Sequence, residues 1–254
     1  KNYTATRGYG EITGIWDNEA HESCRSSDSA LMFMSPIAIF LLHSCDTEIY
    51  SVLSEVLAPI NHCSQESIDA AFIFCKIIHF LIKYTELENH MHKDIIIYIS
   101  DLIKKYKINS NLMGKLNVVI SSFSYYHNNA ELRGIHLESH TIENAIASNI
   151  NTSFDTNVSQ TLSLAIHALV WNYGNPIKTI SRCISYGGHI SATASLVGAL
   201  CGALYGHTWL SSYIETLENS QYIFKLANNL KPKMPHISDI DILTNMFSTA
   251  NIIH

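Results

Sequence analysis

Five residues just ahead of a long apolar run form the chemically richest group in this chain: Gly187, Gly188, His189, Ser191 and Thr193. They read as a Gly-Gly turn leading into a helix. The start of a helix offers unpaired backbone N–H groups and the positive end of its dipole, which suits an anion or a metal-bound phosphate. No carboxylate stands among the five, so the cluster lacks the usual means of holding a divalent cation. The run that follows ends in GALCGALYG, and Gly198, Gly202 and Gly206 share one helical face. Each costs about 1 kcal/mol relative to alanine inside a helix, which predicts that another backbone packs closely against that face.

Other residues with chemical potential are weaker candidates. His90-x-His92 and His136-x-x-x-His140 have the spacing of metal ligands, but no nearby cysteine or carboxylate cluster backs them. They read as polar loop histidines. His62 follows Asn61 at a helix start and reads as a residue that positions a loop. Asp28 and Glu22 read as solvated loop carboxylates. The six cysteines, Cys24, Cys45, Cys63, Cys75, Cys183 and Cys201, form no Cys-x-x-Cys pair, so zinc has no support. Cys75, Cys183 and Cys201 lie in apolar segments and behave as small hydrophobes. This usage favours an intracellular, reducing compartment, the cytoplasm or an organelle matrix.

The elements that must position these residues read as helix after helix. Ile68 to Tyr84 is apolar on nearly every face, which marks a central, buried helix. Lys93 to Lys107 places Ile96, Ile97, Ile99, Leu102 and Ile103 around a stripe, as an outer helix does. Val158 to Trp171 repeats Leu162, Ala165, Ile166 and Leu169 at helical spacing, with Thr156 or Asn157 as its cap. Pro176 suits the first turn of a helix running to Ser185. Ser212 to Leu230 reads as one long helix, stopped by Pro232 and Pro235. Residues 1–29 and 124–155 read as loop-rich, and no segment alternates as a strand does.

Several segments also resemble, in order, the motifs of the ADP-ribosylglycohydrolase family. Arg7-Gly8-Tyr9-Gly10-Glu11-Ile12-Thr13 resembles the family's Arg-Gly-x-Gly-x-x-Thr. Asp28-Ser29-Ala30-Leu31-Met32-Phe33-Met34-Ser35-Pro36 is similar to Asn-Gly-Ala-Ala-Met-Arg-x-x-Pro, which lines the family's ligand cleft. Gly187-Gly188 and Gly198 to Gly206 resemble the Gly-Gly-Asp-x-Asp-Thr signature and the helix behind it. The resemblance implies an all-α fold: one compact orthogonal helical domain over residues 1–254, truncated at the N-terminus, since no Gly-Asp-Ala-x-Gly or Thr-Asp-Asp motif is present. In the family, the positions held here by His189, Ser191 and Ala192 help to hold a pair of magnesium ions beside ADP-ribose. All three have changed, and magnesium demands oxygen ligands that imidazole, one hydroxyl and a methyl do not supply.

The resemblance therefore implies no catalytic residue, no metal and no cofactor. Asp28, Ser29, Met32, Phe33, His62, Gly187 and Gly188 remain as ligand-binding candidates, with Phe33 expected to plug the former cleft. The expectation is a degenerate relative that binds or scaffolds protein partners. The alternative is an active magnesium-dependent hydrolase completed by an N-terminal segment or a partner chain, and binding of ADP-ribose or a nucleotide is a further option. Only 15% of residues are charged, which fits a surface partly covered by partners. A net charge of −6 without a basic stripe argues against nucleic acid. Ile190 to Ile214 carries no charge but is diluted by hydroxyls and His207, so a membrane span is not expected.

Overall fold

The computed structural model describes residues 26–58, 64–83, 91–128, 139–151, 156–214 and 216–232, and among them all regular structure is helical. A 3-10 turn at Asp28–Ala30 leads into α1 (Met34–Phe40), α2 (Asp46–Leu57), α3 (Gln65–Lys83) and α4 (Met91–Lys105). Next come α5 (Ser110–Asn128), α6 (Ser139–Ile150), α7 (Val158–Trp171), α8 (Pro176–Ser185) and α9 (Ile190–Tyr205). A second 3-10 turn, Thr208–Leu210, precedes the short α10 (Ser211–Ile214) and α11 (Ser220–Asn229). No described helix is long and apolar enough to cross a membrane.

Two helices carry the core. In α7 every residue from Val158 to Val170 is buried, including the polar Ser159, Gln160, Thr161, Ser163 and His167. In α3 the residues from Ser67 to Leu81 are buried apart from Lys76 and Phe80. These two helices touch each other, and between them contact α1, α2, α4, α5, α6, α8 and α9. Phe74, Ile73, Ile77 and Leu81 from α3 and Leu162, Ile166 and Leu169 from α7 are almost wholly removed from water. Each such side chain contributes about 1.5–3 kcal/mol on burial.

Local chemistry sets the helix starts. Asn157 Oδ1 accepts from Gln160 N at 3.1 Å and so caps α7. Asn175 does the same for α8, accepting from Lys178 N at 2.9 Å ahead of Pro176. Each satisfies a backbone donor that the first turn leaves unpaired.

Four expectations need correction. The segment 124–155 is not predominantly loop: α5 runs to Asn128 and α6 covers Ser139–Ile150. Asn144, Ser148 and Asn149 face outward, while Glu143, Ile146, Ala147 and Ile150 are buried. The helix expected over Ser212 to Leu230 is broken, and Asn219 takes a left-handed φ of 60° at the junction. Asparagine tolerates that conformation better than most residues. Ile97 is 58% exposed, because the buried stripe of α4 runs through Ile95, Ile96, Ile99 and Leu102.

The glycine face of α9 is the fourth. A Cβ on Gly198 or Gly202 would meet nothing within 4 Å, so no backbone among the described residues packs closely there. Gly206 has a different job. It ends α9 with a φ of 71°, where glycine avoids the strain other residues incur.

Candidate functional site

The first 3-10 turn and the start of α9 meet over the N-terminal end of α7. Asp28 is fully buried at that meeting point. Its backbone N–H donates to Thr156 O at 2.8 Å, which ties the turn to the residues capping α7. Its Oδ2 accepts from Thr161 Oγ1 at 3.0 Å and from His189 Nδ1 at 2.6 Å. The expectation of a solvated loop carboxylate at Asp28 is thus overturned. Its Oδ1 is buried with no hydrogen-bond partner among the described residues, an uncommon state for a carboxylate oxygen.

His189 stands at the N-cap position of α9 and caps nothing with its side chain. A carboxylate only accepts, so Nδ1 carries the proton in the bond to Asp28. The ring is fixed with Nε2 as its other polar atom, and the side chain is 38% exposed while Asp28 is enclosed. A buried carboxylate orienting a half-exposed imidazole is the result.

Gly187 and Gly188 form the expected turn, with φ of 76° and 72°. Asn151 braces them: its Nδ2 donates to Tyr186 O at 3.1 Å, and its Oδ1 accepts from Gln160 Nε2 at 2.7 Å. A Cβ on Gly188 would sit 3.0 Å from Asn151 Oδ1. Conformation therefore favours glycine at 188, and any Cβ there would also have to displace the Asn151 side chain by a few tenths of an ångström.

The turn is anchored from below by a buried polar network. Glu143 of α6 is 3% exposed. Its Oε1 accepts from Asn172 Nδ2 at 2.8 Å and from the Tyr186 hydroxyl, and its Oε2 pairs with Arg182 at 3.0 Å. Burial alone would raise the Glu143 pKa, but the hydrogen bonds from Tyr186, Asn172 and Arg182 outweigh it and hold the group below its ordinary value. Tyr186 directly precedes the glycine pair, so this network fixes the height of the turn.

The other candidates are placed as follows. Ser191 is exposed in the first turn of α9, and Ala192 is buried. Ser29 is half-buried in the 3-10 turn, its N–H donating to Ser27 Oγ at 3.3 Å. Met32 and Phe33 are 42% and 37% exposed, so Phe33 lies at the surface and does not fill an enclosed cleft. His62 and Glu22 lie outside the described residues. So do His90 and His136, and nothing is described of the side chains of His92 and His140. Sequence reasoning brought together the glycine pair and His189 but missed Asn151, Thr161 and Glu143. Asn151 and Glu143 sat in the stretch read as loop, and Thr161 carried no signal.

A family model for ADP-ribosylglycohydrolase matches residues 4–238. The chain belongs to the ADP-ribosylglycohydrolase family. Among curated proteins nothing matches it.

Membership implies a pair of magnesium ions at this turn, and the described side chains can be tested against that demand. Magnesium takes near-octahedral oxygen ligation, commonly through carboxylates. Among the described residues, the carboxylate that a hydrogen bond places at the start of α9 is Asp28, and its Oδ2 is already engaged by Thr161 and His189. The neighbours at the helix start are imidazole, hydroxyl and methyl. No group of three or more His, Cys, Asp or Glu side chains among the described residues is arranged to hold a metal ion. The donor set that the described residues place at the turn does not fit a magnesium pair.

Proposed function

We propose that this ADP-ribosylglycohydrolase family member is catalytically degenerate and serves as a binding or structural component of a protein assembly. The observation that carries the proposal is the hydrogen bond between Asp28 and His189. It joins the two positions that in the family serve the ligand cleft and the metal pair, and it turns them towards each other. An imidazole donating to the one carboxylate that the described residues bring to the start of α9 takes the place of a cluster of acidic oxygens. Without the ions, nothing described here would position the ribose hydroxyls or stabilise charge developing at the glycosidic bond.

A partner-binding role has support at the other end of the chain. Tyr213, Leu217, Tyr222, Ile223 and Leu226 are all at least 49% exposed, and no residue of α11 is buried. Apolar side chains concentrated in one segment mark interaction surfaces more often than scattered ones do. The turnover test is direct. The intact protein is assayed on ADP-ribosyl-arginine and ADP-ribosyl-serine substrates with added magnesium, and no hydrolysis is expected. Turnover that His189→Ala abolishes would refute the proposal.

A second reading has one observation in its favour. The buried, unpartnered Oδ1 of Asp28 leaves a ligand position for a cation or donor brought by a further segment or a partner chain. On that reading the protein is an active magnesium-dependent hydrolase when completed. Adding a fragment that bears a Thr-Asp-Asp motif would then produce magnesium uptake by calorimetry, and its absence would remove this reading.

A further inference from the structure

α3 is a buried helix that opens to solvent along one stripe near its C-terminal end. Lys76, Phe80 and Lys83 are spaced i, i+4 and i+7, so they share one face. That face forms one wall of a cavity of about 250 Å³. Leu42 and Ser44, from the link between α1 and α2, line it from one side, and Tyr98 of α4 lines it from the other. Phe80 stacks on Tyr98 with centroids 4.4 Å apart and planes at 15°, which gives the cavity a flat apolar wall.

Among the described residues its charge is unbalanced. Asp46 is shared between Lys76 Nζ at 2.7 Å and Lys105 Nζ at 3.1 Å, and it also accepts from the Tyr106 hydroxyl. One carboxylate therefore serves two ammonium groups. Lys83 has no carboxylate partner among the described residues. His79 lies between the lysines on the same face, with Nε2 2.6 Å from Ala38 O. Burial mainly, with repulsion from Lys76, Lys83 and His43, holds its pKa below the ordinary value.

The cavity is separate from the glycine turn. Glu66, at the start of α3, accepts from Ser159 beside the Asp28 site. Lys76 to Lys83 lie roughly 10–17 residues further along, about 15–25 Å away at a helical rise of about 1.5 Å per residue. We propose that this cavity binds a small organic oxyanion, with a phosphate or carboxylate head between Lys76 and Lys83 and an apolar body against Phe80 and Leu42. A small volume, two lining lysines of which Lys76 is already paired to Asp46, the Ser44 hydroxyl and an aromatic wall are the features that recognise such a molecule. The proposal stands whether or not the glycine turn is catalytic.

Calorimetric titration of the full chain with phenyl phosphate and with benzoate tests it, with phenol as the uncharged control. Saturable binding of at least one anion is expected, absent for phenol and weakening as salt rises. The tighter of the two anions identifies the head group. Lys83→Gln alters an exposed side chain, so the melting temperature should hold while affinity falls by about tenfold or more. Lys83→Arg should retain most of the binding, and His189→Ala should leave it unchanged. No binding of either anion at millimolar concentration, equal binding of phenol, or full affinity in Lys83→Gln would overturn the assignment.

Discussion

Replacing Glu143 by alanine should unsettle the glycine turn more than any other single truncation outside the apolar core. The substitution leaves the Tyr186 hydroxyl and one hydrogen bond of the Asn172 amide without an acceptor, and both side chains are buried. Each stranded donor costs about 1–3 kcal/mol. Asn172 keeps its bond to Ala168 O, so its share falls at the low end. Arg182 retains Asn144 and has a side chain 19% exposed, so it recovers solvation and adds little. The total is about 2–4 kcal/mol, overlapping the range for removing one partner of a buried pair. For a chain of this size that lowers the melting temperature by roughly 10 °C.

The assay is thermal and denaturant unfolding of Glu143→Ala beside Glu143→Gln. Glutamine keeps an acceptor for both donors and should fall between the wild type and the alanine variant. The pH dependence has a defined sign. The folded-state pKa of Glu143 lies below its ordinary 4.5, so its contribution is complete above that value and is lost as pH falls through the folded pKa. A melting temperature within about 2 °C of wild type for Glu143→Ala would refute the reasoning, given a marginally stable fold.

Three further outcomes follow from the same geometry. Gly188→Ala should destabilise by more than about 1–2 kcal/mol, because it combines left-handed strain with the approach to Asn151, and denaturant midpoints should show it worse than Gly187→Ala. Gly198→Ala and Gly202→Ala should instead stabilise by up to about 1 kcal/mol each, since a Cβ there meets open space; a loss in the same measurement would mean a neighbour presses on that face. His167 is held to a pKa of about 4 by burial, against an ordinary 6.5. The unfolded chain therefore binds the extra proton between those values, and roughly 3 kcal/mol of stability should disappear as pH falls from 6.5 to 4. His167→Leu should flatten that part of the profile whatever its effect at neutral pH.

The fold was readable where burial leaves a continuous apolar imprint. Val158 to Trp171 predicts α7 to the residue, and Ile68 to Tyr84 predicts α3 apart from its first turn, because an enclosed helix carries apolar side chains on most of its faces. α6 was hidden by its composition, since a helix with one narrow buried stripe of Ile146, Ala147 and Ile150 can carry serine and asparagine elsewhere. The site was half legible. Glycines with positive φ at a helix start leave a local signature, and His189 was found through it. The partners of His189 were not, because Asp28 lies 161 residues away in sequence and only tertiary packing decides that it is buried. The glycine repeat in α9 misled for the opposite reason: small residues permit a close approach without compelling one.

The most direct test of the degenerate site is magnesium titration of the intact protein in the presence of ADP-ribose, followed calorimetrically. If one buried carboxylate locked to an imidazole is all the turn provides, no stoichiometric magnesium uptake will be seen, and His189→Ala will change nothing. Uptake of two equivalents that Asp28→Asn abolishes would contradict the account.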